Sequence, residues 1–181
     1  MIKILKLTLA FLARAIVKKF QPNIIAVTGS VGKTSAKETI YAVLANSETL
    51  KNNNQSRFKV RRSRGNLNNE LGLPLTVIAD WKEKSLNLVS RSQPAGTKRF
   101  QKIIFWINVI LTAVGKIIFG QKYLYSNVLI LEFGADKPGD IKKLLKIARP
   151  NIGVVTAIGQ VPAHVEFYQN PEEVAKEKFK L

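Results

Sequence analysis

The sequence predicts an α/β fold, a three-layer P-loop or Rossmann-like parallel sheet, and three observations carry that prediction. A short β-branched run at 23–27 (NIIAV) enters a glycine loop, Thr28-Gly-Ser-Val-Gly-Lys-Thr-Ser35, which opens straight into a helical stretch, AKETIYAVLAN. A second apolar run at 127–131 (NVLIL) ends on a carboxylate, Glu132, and a third at 152–158 (IGVVTAI) follows a short helix. Strands alternating with helices imply parallel pairing through right-handed crossovers. Three strands make an incomplete sheet. With 181 residues, 46% hydrophobic and 23% charged, the chain can bury one core.

The first element, 1–22, reads as a basic amphipathic helix. Lys3, Lys6, Arg14 and Lys18 fall within about a third of the helical circumference at 100° per residue. Such a helix suits the surface of an anionic membrane. Packing onto the protein body is the plainer alternative, and a secretory signal ending at Ala13-Arg14-Ala15 is a third, weakened by the arginine inside its cleavage site. The remaining chain, 23–181, forms one domain, with an insertion at about 81–125. Within the insertion, a Ser/Asn/Gln/Pro/Gly-rich loop at 90–97 leads into an apolar helix at 103–119, preceded by Lys98, Arg99 and Lys102 and followed by Lys122. Lys116 interrupts its end. The stretch is borderline for a span of about 20 apolar residues, and a buried or interfacial helix is the favoured reading.

Charge and composition narrow the chemistry. Lysine and arginine total 29 against 12 acids, a formal charge of +17, and 13 of the basic residues lie within 1–64 beside only Glu38 and Glu48. The expected partner is anionic: phosphate, nucleic acid or a membrane. There is no cysteine and one histidine, His164, which excludes disulfide frameworks, thiolate metal clusters, cysteine nucleophiles and multi-histidine sites.

The glycine loop carries the clearest chemistry. Gly29 and Gly32 let the backbone curl around phosphate oxygens, and the following helix presents its N–H groups and positive dipole end. Thr28, Gly29, Ser30, Val31, Gly32, Lys33, Thr34 and Ser35 therefore read as an ATP-binding loop, with Lys33 reaching the terminal phosphates and the Thr34 hydroxyl on Mg²⁺. Val27 stands where the generic pattern has glycine, so a plain strand-turn-helix is the alternative. Glu132, at the carboxyl end of a buried strand, is a candidate Mg²⁺ ligand. Asp140 is expected to cap a helix at 141–148 that Pro150 stops. His164 follows the third strand, on the same rim. Asn170-Pro171-Glu172-Glu173 is a helix start carrying Lys176 and Lys178, which could equally be a solvated face with a Glu172–Lys176 pair.

Four segments together, TGSVGKTSAKE (28–38), GNLNNELGLPLT (65–76), LEFGADKPGDI (131–141) and AHVEFYQNPEEVAKEK (163–178), resemble the Mur ligase central domain. The nearest branch is the UDP-N-acetylmuramoyl-tripeptide:D-alanyl-D-alanine ligases. The family's loop also lacks the generic first glycine. The resemblance implies an ATP-dependent amide-bond ligase of peptidoglycan precursor synthesis, working through an acyl phosphate and joining D-alanyl-D-alanine to a muramoyl-peptide. By motif position it implies Thr34 and Glu132 on one Mg²⁺, His164 on a second, and Lys178 as the carbamylated lysine, with Lys176 the fallback. Lys33, His164 and Lys178 would be the catalytic set. Asn66, Asn68 and Asn69 would face the muramoyl-peptide, a turn being their other reading.

The family normally has a uridine-nucleotide-binding domain before the loop and a further domain after Leu181. The chain is therefore expected to be an amino-terminal portion, inactive alone, in the cytoplasm at the inner membrane face. Two rivals follow: a membrane-associated P-loop module without ligase activity, and a nucleic-acid binder built on the basic run 57–64, which lacks the aromatic spacing of a stacking platform.

Overall fold

The computed structural model describes residues 2–46, 58–65, 67–87, 99–158, 167–168 and 170–181. Among them run α1 (Ile2–Phe20), β1 (Asn23–Thr28), α2 (Lys33–Asn46), β2 (Val60–Arg62), α3 (Gly72–Ile78), α4 (Glu83–Asn87), α5 (Arg99–Phe119), β3 (Val128–Glu132), α6 (Asp140–Leu145), β4 (Ile152–Val155) and α7 (Pro171–Lys178). The four strands form one parallel sheet in the order β2-β3-β1-β4.

Alternation along the strands divides the core in two. Val27, Val128 and Ile130 point to the face covered by α2, where Ala36, Ile40, Tyr41 and Leu44 pack. Ile24, Ala26, Leu129 and Leu131 point to the other face, against α1, α3, α5 and α6. Helices on both faces make the predicted three-layer parallel arrangement. β1 is followed by α2 on one face, and its neighbour β3 is followed by α6 on the other. The two connections diverge, which opens a crevice at the strands' carboxyl ends.

The structure corrects several expectations. α1 is not a free interfacial helix: Leu9, Leu12, Ala13, Ile16 and Phe20 are buried in the core, and its neighbours are α3 and α5. The basic run at 57–64 contains β2, an edge strand pairing with β3. Arg61, Arg62 and Arg64 are all engaged within the protein. Arg61 donates to the carbonyls of Thr76 and Val77, Arg62 forms an ion pair with Glu38 at 2.6 Å, and Arg64 grips both oxygens of Asp80 at 2.6 and 2.9 Å. A surface whose cations are committed in this way is a poor nucleic-acid interface. Asp140 does not cap its own helix. Gly139 occupies the cap, and the Asp140 carboxylate accepts from the N–H groups of Asp136 and Lys137 in the preceding turn. The N–H of Ile141 is satisfied instead by Glu177 of α7. Burial opposes ionisation of Glu177, but Lys180 and the N–H groups of Gly139 and Ile141 outweigh it and hold the carboxyl below its usual range. The expected third strand stops at Val155, and Ala157 forms only a bridge with Val31. The loop at 90–97 lies outside the described residues.

Candidate functional site

The site is built at the carboxyl end of β1. Val27 lies in register with Glu132, so the chain leaves β1 for the glycine loop beside that carboxylate. Gly29 has φ +148°, and a Cβ there would sit 1.9 Å from Thr156 Oγ1. Only glycine fits. Gly32 is also left-handed, at φ +85°. Beyond β4, Thr156 Oγ1 lies 2.7 Å from the carbonyl of Val31 and 3.1 Å from that of Thr28, while the N–H groups of Ser30 and Val31 reach Ala157 O at 2.9 and 3.3 Å. The loop is thus pinned from the β4 side. The N–H groups open to an anion are those of the first turn of α2, which have no intrahelical acceptor. The Thr28 hydroxyl is structural, donating to Phe133 O at 2.9 Å.

Glu132 is the centre of the polar cluster and is almost wholly buried. Its Oε2 accepts from Thr34 Oγ1 and from Lys37 Nζ, both at 3.3 Å, and its Oε1 accepts from Asn68 Nδ2 at 3.3 Å. Lys37 is fully buried and went unnoticed in the sequence, although it stands one helical turn after Lys33 and three residues after Thr34, on the same side of α2. It neutralises Glu132 where water cannot. Lys33 folds back over the loop, donating to the carbonyls of Gly29 at 2.8 Å and Ser30 at 3.2 Å.

From the far end of the chain, Lys178 enters the same loop. Its Nζ donates to Gly29 O at 3.0 Å, and burial, then the nearby Lys33 charge, depress its pKa to about 8 against the pull of Asp136 and Glu177. Lys176 is exposed. α7 is positioned as its sequence suggests, with Asn170 Oδ1 accepting from the N–H of Glu173 and Pro171 in the first turn.

The asparagines divide. Asn68 faces Glu132, whereas Asn69 Oδ1 accepts from the N–H groups of Leu71 and Gly72, both at 3.0 Å, and so starts α3. Asn66 and His164 lie outside the described residues. Val31 and Ser35 are exposed on the loop and on α2.

The donor set suits a hard cation and a phosphate. One hydroxyl and one carboxylate are adjacent, and among the described residues no cluster of three His, Cys, Asp or Glu competes with them. Mg²⁺ is held in this sparing way when substrate phosphates complete its shell. In the loop itself, Ser30 Oγ is buried and lacks a hydrogen-bond partner among the described residues.

Comparison with known proteins agrees with this geometry. The Mur ligase middle domain family model matches residues 27–116 and 118–181. A UDP-N-acetylmuramoyl-tripeptide--D-alanyl-D-alanine ligase of Bacillus subtilis (strain 168) is 27% identical over 170 residues, 94% of this chain and 25% of the relative. The enzyme of the same name from Rickettsia prowazekii (strain Madrid E) is 30% identical over 157 residues, 87% of this chain and 23% of the relative. The chain therefore spans about a quarter of the length of these curated relatives. Among solved structures, MurF ligase from Thermotoga maritima in complex with ADP superposes with a TM-score of 0.62 at 29% identity, covering 97% of this chain and 28% of that one. With the loop, Glu132 and Lys178 gathered at the carboxyl end of the sheet and the family model matching nearly all of 27–181, the chain belongs to the Mur ligase middle domain family.

Proposed function

We propose that this chain is the nucleotide-binding part of an ATP-dependent amide ligase that adds D-alanyl-D-alanine to a muramoyl-tripeptide in the cytoplasm. The observation that carries the reading is Glu132 shared by Thr34, Lys37 and Asn68 at the mouth of the glycine loop, with the Lys178 amine on the same loop. When bound, Mg-ATP supplies a γ-phosphoryl group that activates an acid as an acyl phosphate, which an amine displaces to form the amide.

Each residue has a definable task in that chemistry. The first turn of α2 and Lys33 hold and neutralise phosphate oxygens, once Lys33 swings from the carbonyls it now caps. Thr34 and Glu132 would hold the cation, and Lys37 fixes the orientation of Glu132. Asn68, beside Glu132, is placed to meet the polar substrate. Lys178 is set up for carbamylation: the neutral amine attacks CO₂, the N–C bond forms, and one proton leaves to solvent. A pKa near 8 raises the neutral fraction far above that of a surface lysine. The roles of His164 and Asn66 belong to the same proposal on motif position alone.

Titration calorimetry with Mg-ATP tests the loop. Lys33→Ala is expected to weaken binding by at least about 100-fold, the scale of removing a charge-assisted phosphate contact. Wild-type affinity in that variant would sink the assignment. Phosphate release that depends on both muramoyl-tripeptide and D-alanyl-D-alanine tests the ligase step. A second reading is a module that binds nucleotide without ligating, since the groups gathered at the loop are those that hold phosphate and cation. That reading expects ATP binding with no substrate-dependent phosphate release.

A further inference from the structure

The outward side of α5 plays no part in the site, and it presents a row of large exposed apolar side chains. Phe105, Val109 and Ala113 form the buried side of the helix. On the opposite side Phe100, Ile104, Ile107, Leu111, Val114 and Ile118 repeat at four- and three-residue steps, all exposed, with Phe100 at 74%, Leu111 at 65% and Ile118 at 59%. Adding Ile103 and Phe119, the apolar side chains fan over roughly 160° of the circumference at 100° per residue. The stretch Phe100–Phe119 is long and apolar enough to cross a bilayer, yet 17% of its most apolar part is buried within the protein.

Three features select the occupant. The outward side carries Gln101 and Asn108 but no charge, whereas a helix that pairs with another in water has a narrower seam flanked by charged residues. Lys116 of α5 points inward and donates to Ile78 O at 2.7 Å. Finally, α1 and α5, which pack together, hold eight lysines and arginines and not one acid. Lys3, Arg14 and Lys18 of α1 are exposed, beside Ile4, Leu7 and Phe11. A wide uncharged apolar surface on a helix packed against a second one that exposes cations is complementary to acyl chains beneath anionic headgroups.

We infer that α5 lies in the interface of an anionic bilayer, its Phe100–Ile118 stripe among the acyl chains and the basic residues of α1 among the headgroups. It lies along the membrane and does not cross it, because its other side is part of the core. This inference rests on the flank alone and is independent of the nucleotide reading.

Flotation of the 181-residue chain with phosphatidylcholine vesicles, with and without phosphatidylglycerol, at low and high salt, tests it. The chain is expected to float with anionic vesicles, less at high salt and less without phosphatidylglycerol. Ile107→Glu with Leu111→Glu is expected to cut binding by about tenfold or more, with the circular dichroism spectrum unchanged. If that variant unfolds, Leu111→Cys carrying an environment-sensitive dye keeps the question open to measurement, since the chain has no other cysteine. The dye should shift to the blue with anionic vesicles, and the same dye at Val43→Cys, exposed on α2, should not. Absence of flotation, equal flotation by the double variant, or a dye at position 111 blind to vesicles each overturns the inference. Concentration-dependent self-association without flotation would assign the stripe to a second copy instead.

Discussion

The crevice at the carboxyl end of β1 and the outer flank made by α1 and α5 are built on opposite terms. In the crevice, polar groups are withdrawn from water and satisfied by one another: Glu132 has three partners, and Lys37 is wholly buried against it. On the flank, large apolar side chains are exposed. Removing a partner in the crevice leaves a stranded charge, whereas changing a residue on the flank leaves the fold much as it was. Sensitivity to substitution therefore lies at buried positions, in the crevice and on the inner sides of α1 and α5, and the outward side of the flank is free to be shaped by what it touches.

The comparison can be broken first at Glu132. Glu132→Ala leaves the buried Lys37 ammonium with Glu38, at 3.7 Å, as its remaining ion-pair partner among the described residues, and is expected to cost about 3–5 kcal/mol in urea unfolding. Glu132→Leu combined with Lys37→Met should recover most of that loss. If the single substitution proves mild, the crevice is wetter than described. On the inner side of α1, Leu9→Ala is expected to cost about 3 kcal/mol, since Leu9 has no exposed surface. That result would separate the two sides of one flank helix.

A smaller effect concerns pH. The folded pKa of Lys178, about 8, lies below its ordinary 10.5, so between those values the unfolded chain binds a proton that the folded chain does not. Wild-type stability should rise with pH across that window relative to Lys178→Met, by about 1–2 kcal/mol, and run parallel to it below pH 8. Parallel curves throughout would place Lys178 in water. Smallest of all, Ile107→Gln on the outward side of α5 should change stability by no more than about 0.5 kcal/mol. A larger loss would mean that the stripe is already covered within the molecule.

The parts of the fold legible in the sequence are those with a short-range signature. β1, α2, β3 and α7 are marked by β-branched runs, by glycines at φ beyond the reach of other residues, and by the Asn170-Pro171 start. β2 is hidden because an edge strand tolerates polar residues, and Val60–Arg62 is recognisable only once Glu38, Asp80 and two carbonyls are seen to receive the arginines around it. Lys37 is hidden for a related reason: a lysine reads as surface until a buried carboxylate is found facing it. Of the candidate site, the loop, Glu132 and Lys178 are legible as a group. The division of labour between Asn68 and Asn69 is not, because it depends on where α3 begins.

The hydrogen bond from Lys178 to Gly29 O joins residues 149 positions apart. During synthesis the glycine loop leaves the ribosome long before the lysine that grips it. At 5–20 residues per second the interval is on the order of ten seconds. Over that time β1 and α2 can assemble, but the loop lacks both its β4 clamp and its lysine. Nucleotide affinity should therefore be acquired late, after α7 docks, which makes it a marker that the loop is fully clamped. A nascent chain halted before α7 would carry the whole glycine motif and still hold the loop in an unfinished shape.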